Sequence, residues 1–134
     1  MTKQNNQVYI HLVWSTAERQ QALTSEVQVW LWPALAECAR GVGSGFVVVG
    51  GTDDHIHVLT QLPVATSIAE VVRRLKGASS RFAHQRGLAD FAWQEGYAAF
   101  SVSFDQLPAL EQYIRNQAQH HASGQASQLY EPQV

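Results

Sequence analysis

Two histidines separated by one residue, His55 and His57, are the first side chains whose spacing indicates chemistry. On a β-strand, residues two apart point to the same face, so both imidazoles would project together while Ile56 enters the core. Imidazole nitrogens are common ligands of divalent metal ions. The pair therefore predicts two ligands of one metal, although such pairs also occur on half-buried strands that bind none.

A second candidate lies near the C-terminus, where Tyr113 and Gln117 are four residues apart and share one face of a predicted helix. His120 or His121 continues that face. A tyrosine hydroxyl has an ordinary pKa near 10, so it is a nucleophile only when a base or a metal assists it. A metal held by the two strand histidines and the Gln117 amide oxygen would lie within one turn of Tyr113. The alternative is a tyrosine that packs at the helix–sheet edge beside a solvated glutamine.

Positive charge is concentrated in one segment, because residues 71 to 89 hold five of the nine Lys and Arg residues and no Asp or Glu. Such a helix, with small residues beside the charges, is typical of a surface that binds phosphate. A basic helix that only favours solubility is the alternative. The predicted DNA contacts are Arg73, Arg74, Lys76, Ser79, Ser80 and Arg81.

The composition sets the broad class. A chain of 134 residues, 46% hydrophobic and 15% charged, is expected to form one globular domain over residues 1–134. Its single cysteine, Cys38, excludes an internal disulfide framework and a cysteine-rich zinc site. The lone cysteine also favours a reduced cytoplasmic setting. No stretch is apolar enough to cross a membrane, so we expect a soluble protein. The net charge of -2 alone would argue against nucleic-acid binding, but the basic segment shows that charge is unevenly distributed.

The elements that must position these residues follow from periodicity and turn signals. Strands are predicted at 7–15, 46–50, 55–62 and 97–104, and helices at 25–40, 67–86 and 108–122. The order β-α-β-β-α-β-α predicts an α+β fold of the ferredoxin-like type, an antiparallel sheet with helices packed on one face. The last helix, which carries the tyrosine, is an addition to that pattern.

Five motifs in this order resemble a known family. They are HLVWST at 11–16, DDHIHVL at 53–59, LKGASSRF at 75–82, FAWQEGYAAFSVS at 91–103 and YIRNQAQHH at 113–121. Together they resemble the single-tyrosine HUH transposases, the IS200-like insertion-sequence enzymes and their REP-associated tyrosine transposase relatives.

The resemblance implies a homodimeric transposase that cleaves and rejoins single-stranded DNA with hairpin ends through a 5′-phosphotyrosine intermediate. It implies that His55, His57 and Gln117 hold Mg²⁺ or Mn²⁺ and that Tyr113 is the nucleophile. In many relatives the tyrosine helix of one subunit completes the site of the other. His120 and His121 are candidates to assist proton transfer.

Two departures from the family pattern, the short C-terminus and the overall acidity, keep a second interpretation open. The alternative is a dimeric hairpin-DNA-binding or metal-binding module that does not cut DNA.

Overall fold

The computed structural model describes residues 5–117, which form four strands and three α-helices. In chain order these are β1 (Tyr9–Ser15), α1 (Ser25–Val42), β2 (Val47–Gly51), β3 (His55–Gln61), α2 (Ile68–Gln85), β4 (Ala98–Val102) and α3 (Leu107–Arg115). Short 3-10 turns occupy Ala17–Arg19 and Phe104–Gln106. The predicted order of elements is confirmed, and the part of the last predicted helix beyond residue 117 lies outside the described residues.

The four strands form one antiparallel sheet in the order β2-β3-β1-β4. With the connection order βαββαβ, this is the ferredoxin-like arrangement that the sequence predicts. β1 and β3 are the two central strands, and their register places Val13 opposite His57 and His11 opposite Leu59. Each of these strands is hydrogen-bonded to a neighbouring strand on both sides, so the backbone that carries its side chains is held in place.

Local signals explain where the two long helices begin and end. The Thr24 side chain accepts a hydrogen bond from the Val27 amide, and Ser67 does the same for Glu70, so each hydroxyl satisfies an otherwise unpaired helical N–H. α1 is followed by Gly43, whose φ of 118° lies in the left-handed region that favours glycine. Among residues 5–117, no helix is both long and apolar enough to span a membrane.

Helices cover both faces of the sheet. α1 and α2 pack on one face, where Leu12, Trp14 and Ile56 contribute to the larger apolar core. α3 packs on the opposite face, over a smaller cluster that includes Val48 and Leu59. The predicted packing of the ferredoxin-like helices on one face is confirmed for α1 and α2, and the added helix α3 covers the other face. The physical reason is that β2 and β3 carry apolar residues on both of their faces, and α3 buries the second set.

Candidate active site

The paired histidines lie on β3, on the face covered by α3. His55 is 5% exposed and His57 is fully buried, while Ile56 points into the core on the other side of the sheet. The predicted shared face of the two imidazoles is confirmed. The two rings lie edge to face with centroids 5.2 Å apart, so their nitrogens lie within one small volume beneath the helix.

His55 is oriented by the turn that precedes it. Its Nδ1 lies 2.9 Å from Asp54 Oδ1 and 2.8 Å from Thr52 Oγ1. Burial by itself would raise the pKa of Asp54, but the hydrogen bond from His55 and the nearby charges of His55 and Arg19 outweigh it, so the pKa lies below its ordinary value. With Nδ1 held by a carboxylate, Nε2 is the nitrogen suited to coordinate a metal.

His57 has a different neighbour. Its Nδ1 lies 2.8 Å from Nε2 of His11, a residue of β1 that is itself buried. His11 lies in the predicted strand 7–15 and in the motif at 11–16, but no role in the site was predicted for it. The β1–β3 register was the signal that could have found it, because antiparallel pairing brings His11 diagonally beside His57.

α3 brings the predicted nucleophile to the histidines. Tyr113 is 6% exposed, and its ring centroid lies 6.1 Å from that of His57 with the planes 80° apart. Gln117 lies one turn further along and is 1% exposed. The structure therefore brings Tyr113 and the two strand histidines to one buried face within a single chain, and Gln117 is buried just beyond the end of α3.

The close approach of α3 depends on a glycine in β2. A Cβ placed on Gly50 would collide with the Ile114 carbonyl oxygen and lie 2.8 Å from Ile114 Cγ2. Gly50 is paired with His57 in the β2–β3 ladder. The absence of a side chain at this position therefore lets the tyrosine helix pack directly against the strands beside the histidines.

The donor set fits a divalent ion. Two imidazole nitrogens and one amide oxygen suit several divalent metals rather than one. Within residues 5–117 there is no group of three or more His, Cys, Asp or Glu arranged to hold a metal, so a metal bound by His55 and His57 would need a further ligand of another type, as predicted for the Gln117 amide. His120 and His121 lie outside the described residues.

Part of the positive charge of α2 is paired with an acidic residue that lies just before residues 71 to 89. Glu70, one residue before that interval, accepts hydrogen bonds from Arg73 Nε and Arg74 Nε, both at 2.9 Å. These bonds, Arg73 first, lower the pKa of Glu70 to about 2. Both guanidinium groups remain largely exposed, so a phosphate could still reach them.

Lys76 binds within the protein. Its ammonium donates hydrogen bonds to the carbonyl oxygens of Gln94 at 2.8 Å and Gly96 at 2.7 Å, and burial lowers its pKa. These bonds attach the segment that precedes β4 to α2. Lys76 therefore has a structural partner at the position where the sequence predicted a DNA contact.

The predicted DNA contact at Ser79 is corrected by the structure. Ser79 is 3% exposed, its hydroxyl donates to the Leu75 carbonyl at 2.6 Å, and it accepts a hydrogen bond from Trp93 Nε1 at 2.9 Å. Because helical periodicity turns this position toward the core, its hydroxyl is used internally. Arg81 is exposed and Ser80 is partly exposed on the outer side of the helix.

The basic helix and the histidine–tyrosine cluster do not share a face. α2 packs on the side of the sheet that carries the larger core, and α3 packs on the other. The sequence predicted the members of each group but not this separation.

The fold and the site together indicate a class of protein. A ferredoxin-like sheet with two histidines beneath a helix that carries a tyrosine is the arrangement that the sequence predicted for an enzyme acting on DNA. Comparison with known proteins agrees with it, since the family model described as "Transposase IS200 like" matches residues 4–117. The chain belongs to the IS200-like transposase family.

Individual relatives show the same similarity. The ISDra2 transposase TnpA of Deinococcus radiodurans is 29% identical over 118 residues, covering 83% of this chain and 84% of the relative. The crystal structure of a candidate transposase from Deinococcus radiodurans R1 matches with a TM-score of 0.69 at 28% identity, covering 88% of this chain and 98% of that one. A REP-associated tyrosine transposase, solved with a REP hairpin, shares the fold with a TM-score of 0.60 at 17% identity, covering 94% and 76%.

Proposed function

We propose that this chain is a transposase that cleaves and rejoins single-stranded DNA, with Tyr113 as the nucleophile. The observation that carries this proposal is the packing of Tyr113 against His57, with ring centroids 6.1 Å apart, on the face that also holds His55. Membership of the transposase family supports the reaction class.

In this proposal Tyr113 forms the covalent bond to DNA. Tyr113 Oη attacks the scissile phosphorus, forms a P–O bond and gives up its proton, while the bond from phosphorus to the 3′ oxygen breaks and that oxygen gains a proton. The products are a 5′-phosphotyrosine and a 3′-hydroxyl. The reverse attack rejoins strands without an external energy source, because one phosphodiester replaces another. The buried position of the tyrosine limits the access of water that would hydrolyse the intermediate.

His55, His57 and Gln117 would hold a divalent cation, Mg²⁺ or Mn²⁺. When bound, such an ion supplies positive charge to the scissile phosphate and to the oxygen that develops charge. The protein contributes the orientation of both imidazoles through Asp54 and His11. His120 and His121 remain candidates to assist proton transfer.

The substrate we propose is DNA with hairpin ends, bound by a cytoplasmic homodimer. The hairpin is supported by the solved relative that holds one on the same fold. The exposed outer side of α2, with Arg73, Arg74, Ser80 and Arg81, would contact phosphates. Since α2 and Tyr113 lie on opposite faces, a hairpin held by α2 would send its single strand around an edge of the sheet.

The nucleophile is tested with Tyr113→Phe. We expect it to abolish the covalent protein–DNA band that forms on a hairpin-ended single-stranded oligonucleotide from the flanks of the gene with Mn²⁺, while hairpin binding stays nearly intact. Tyr97→Phe is the matched control, because Tyr97 is an exposed tyrosine beside β4 and should retain the band. A band that persists in Tyr113→Phe would assign the attack to another tyrosine. Hairpin binding without a band in the unaltered protein would favour a non-catalytic binding module.

The proposed DNA-binding surface of α2 is tested with one variant that carries both Arg73→Ala and Arg81→Ala. Each lost phosphate contact should reduce the slope of log affinity against log salt by about 0.7 to 0.9. Arg115→Ala is the control, since Arg115 is an exposed arginine on α3 that pairs with Glu111 on the other side of the molecule. An unchanged slope in the α2 variant would place the DNA elsewhere.

A further inference from the structure

We infer that His11 is a positioning residue that fixes the protonated nitrogen of His57, an inference that rests on the proposed function by taking His57 as a metal ligand. His11 lies on the central strand β1 and is 2% exposed. Its Nε2 is 2.8 Å from Nδ1 of His57, which is hydrogen-bond distance between two ring nitrogens.

The geometry of the two rings suits this bond. Their planes are 18° apart and their centroids are separated by 5.0 Å. The N–H and the lone pair of an imidazole lie in the plane of the ring, so two nearly coplanar rings can align a donor with an acceptor. One of the two nitrogens must donate and the other must accept.

Metal coordination through Nε2 requires one direction of this bond, and we infer that His11 holds His57 in that form before the metal binds. A neutral histidine that coordinates through Nε2 carries its proton on Nδ1. His57 would therefore donate from Nδ1, and His11 would accept at Nε2 and carry its own proton on Nδ1. His55 has the same arrangement with another acceptor, because its Nδ1 faces the carboxylate of Asp54. Each histidine thus has an acceptor behind it.

The sheet makes His11 a rigid support. β1 is paired with β3 on one side and with β4 on the other, and His11 lies diagonally across from His57 in the ladder. A residue on a central strand has little freedom to follow a rotating neighbour. His11 therefore restrains the ring of His57 as well as its tautomer.

The first test is Mn²⁺ affinity, measured by titration in the absence of DNA. His11→Leu should weaken binding by about 10- to 100-fold, because it removes the acceptor behind a metal ligand. His11→Gln should recover most of the affinity, since its amide oxygen can accept from Nδ1. Val48→Ala is the control for general loosening of this face, and we expect it to lower stability without lowering Mn²⁺ affinity. Equal affinity in His11→Leu and the unaltered protein would overturn the inference.

The second test needs no metal, and its deciding measurement is made on the unaltered protein. Nitrogen-15 NMR of histidine-labelled protein should show the proton of His57 on Nδ1, and His11→Leu should move it toward Nε2. A proton on Nε2 in the unaltered protein would overturn the inference. If the unaltered protein binds no Mn²⁺, the proposed ligand set fails, and the tautomer of His57 still decides the role of His11.

Discussion

The two faces of the sheet are both covered by helices, yet they carry different kinds of residue. The face beneath α1 and α2 is lined by apolar side chains such as Leu12, Trp14 and Val58. The face beneath α3 mixes apolar residues with His11, His55 and His57. Because strand residues alternate between faces, one strand supplies both sets, as β3 does with Ile56 and His57.

The two faces therefore have different roles: one mainly stabilises the fold, and the other holds the residues of the candidate active site. The larger apolar core buries the surface that stabilises the fold. The smaller face holds polar groups at a cost, since a buried imidazole needs a hydrogen-bond partner, and here Asp54 and His11 provide one each. If the two faces have these separate roles, matched substitutions on them should have different consequences.

A matched pair of leucines gives the largest expected effect. Leu75→Ala on α2 and Leu110→Ala on α3 each remove a buried side chain and should cost about 2 to 5 kcal/mol of stability. Only Leu110→Ala should also reduce covalent adduct per folded molecule, because it loosens the helix that carries Tyr113. Denaturant unfolding and adduct yield at matched folded fraction measure the two quantities. Equal adduct yield in both variants would contradict the separation of roles.

The next prediction concerns the approach of α3 to the sheet. Gly50→Ala should displace the helix, cost about 1 to 3 kcal/mol and remove most of the adduct, because the new methyl group overlaps the Ile114 backbone. Gly41→Ala is the control. A Cβ there meets nothing within 4 Å, so in helix α1 it should gain about 0.5 to 1 kcal/mol and leave the adduct unchanged. Normal adduct formation by Gly50→Ala would show that Tyr113 does not need this packing.

The order of elements could be predicted from the sequence because periodicity and caps are local. The shared face of His55 and His57 and the helical spacing of Tyr113 and Gln117 were predictable for the same reason. The support from His11 was not, because it depends on the register of β1 against β3, which no local pattern reports. Ser79 was misassigned because composition could not show which side of α2 faces the core.

The smallest predicted effect belongs to the outer surface of α2, where Glu70 links Arg73 and Arg74. The pKa of Glu70 in the folded protein, about 2, lies below its ordinary value of 4.5, so protonation favours the unfolded chain. The stabilisation is complete above pH 4.5 and is lost as the pH falls toward 2. Carboxyl carbon NMR should therefore give Glu70 a midpoint near 2, and Arg73→Gln should raise it. A midpoint near 4.5 in the unaltered protein would show that Glu70 does not form this ion pair in solution. Both arginines would then be available to bind phosphate without competition from Glu70.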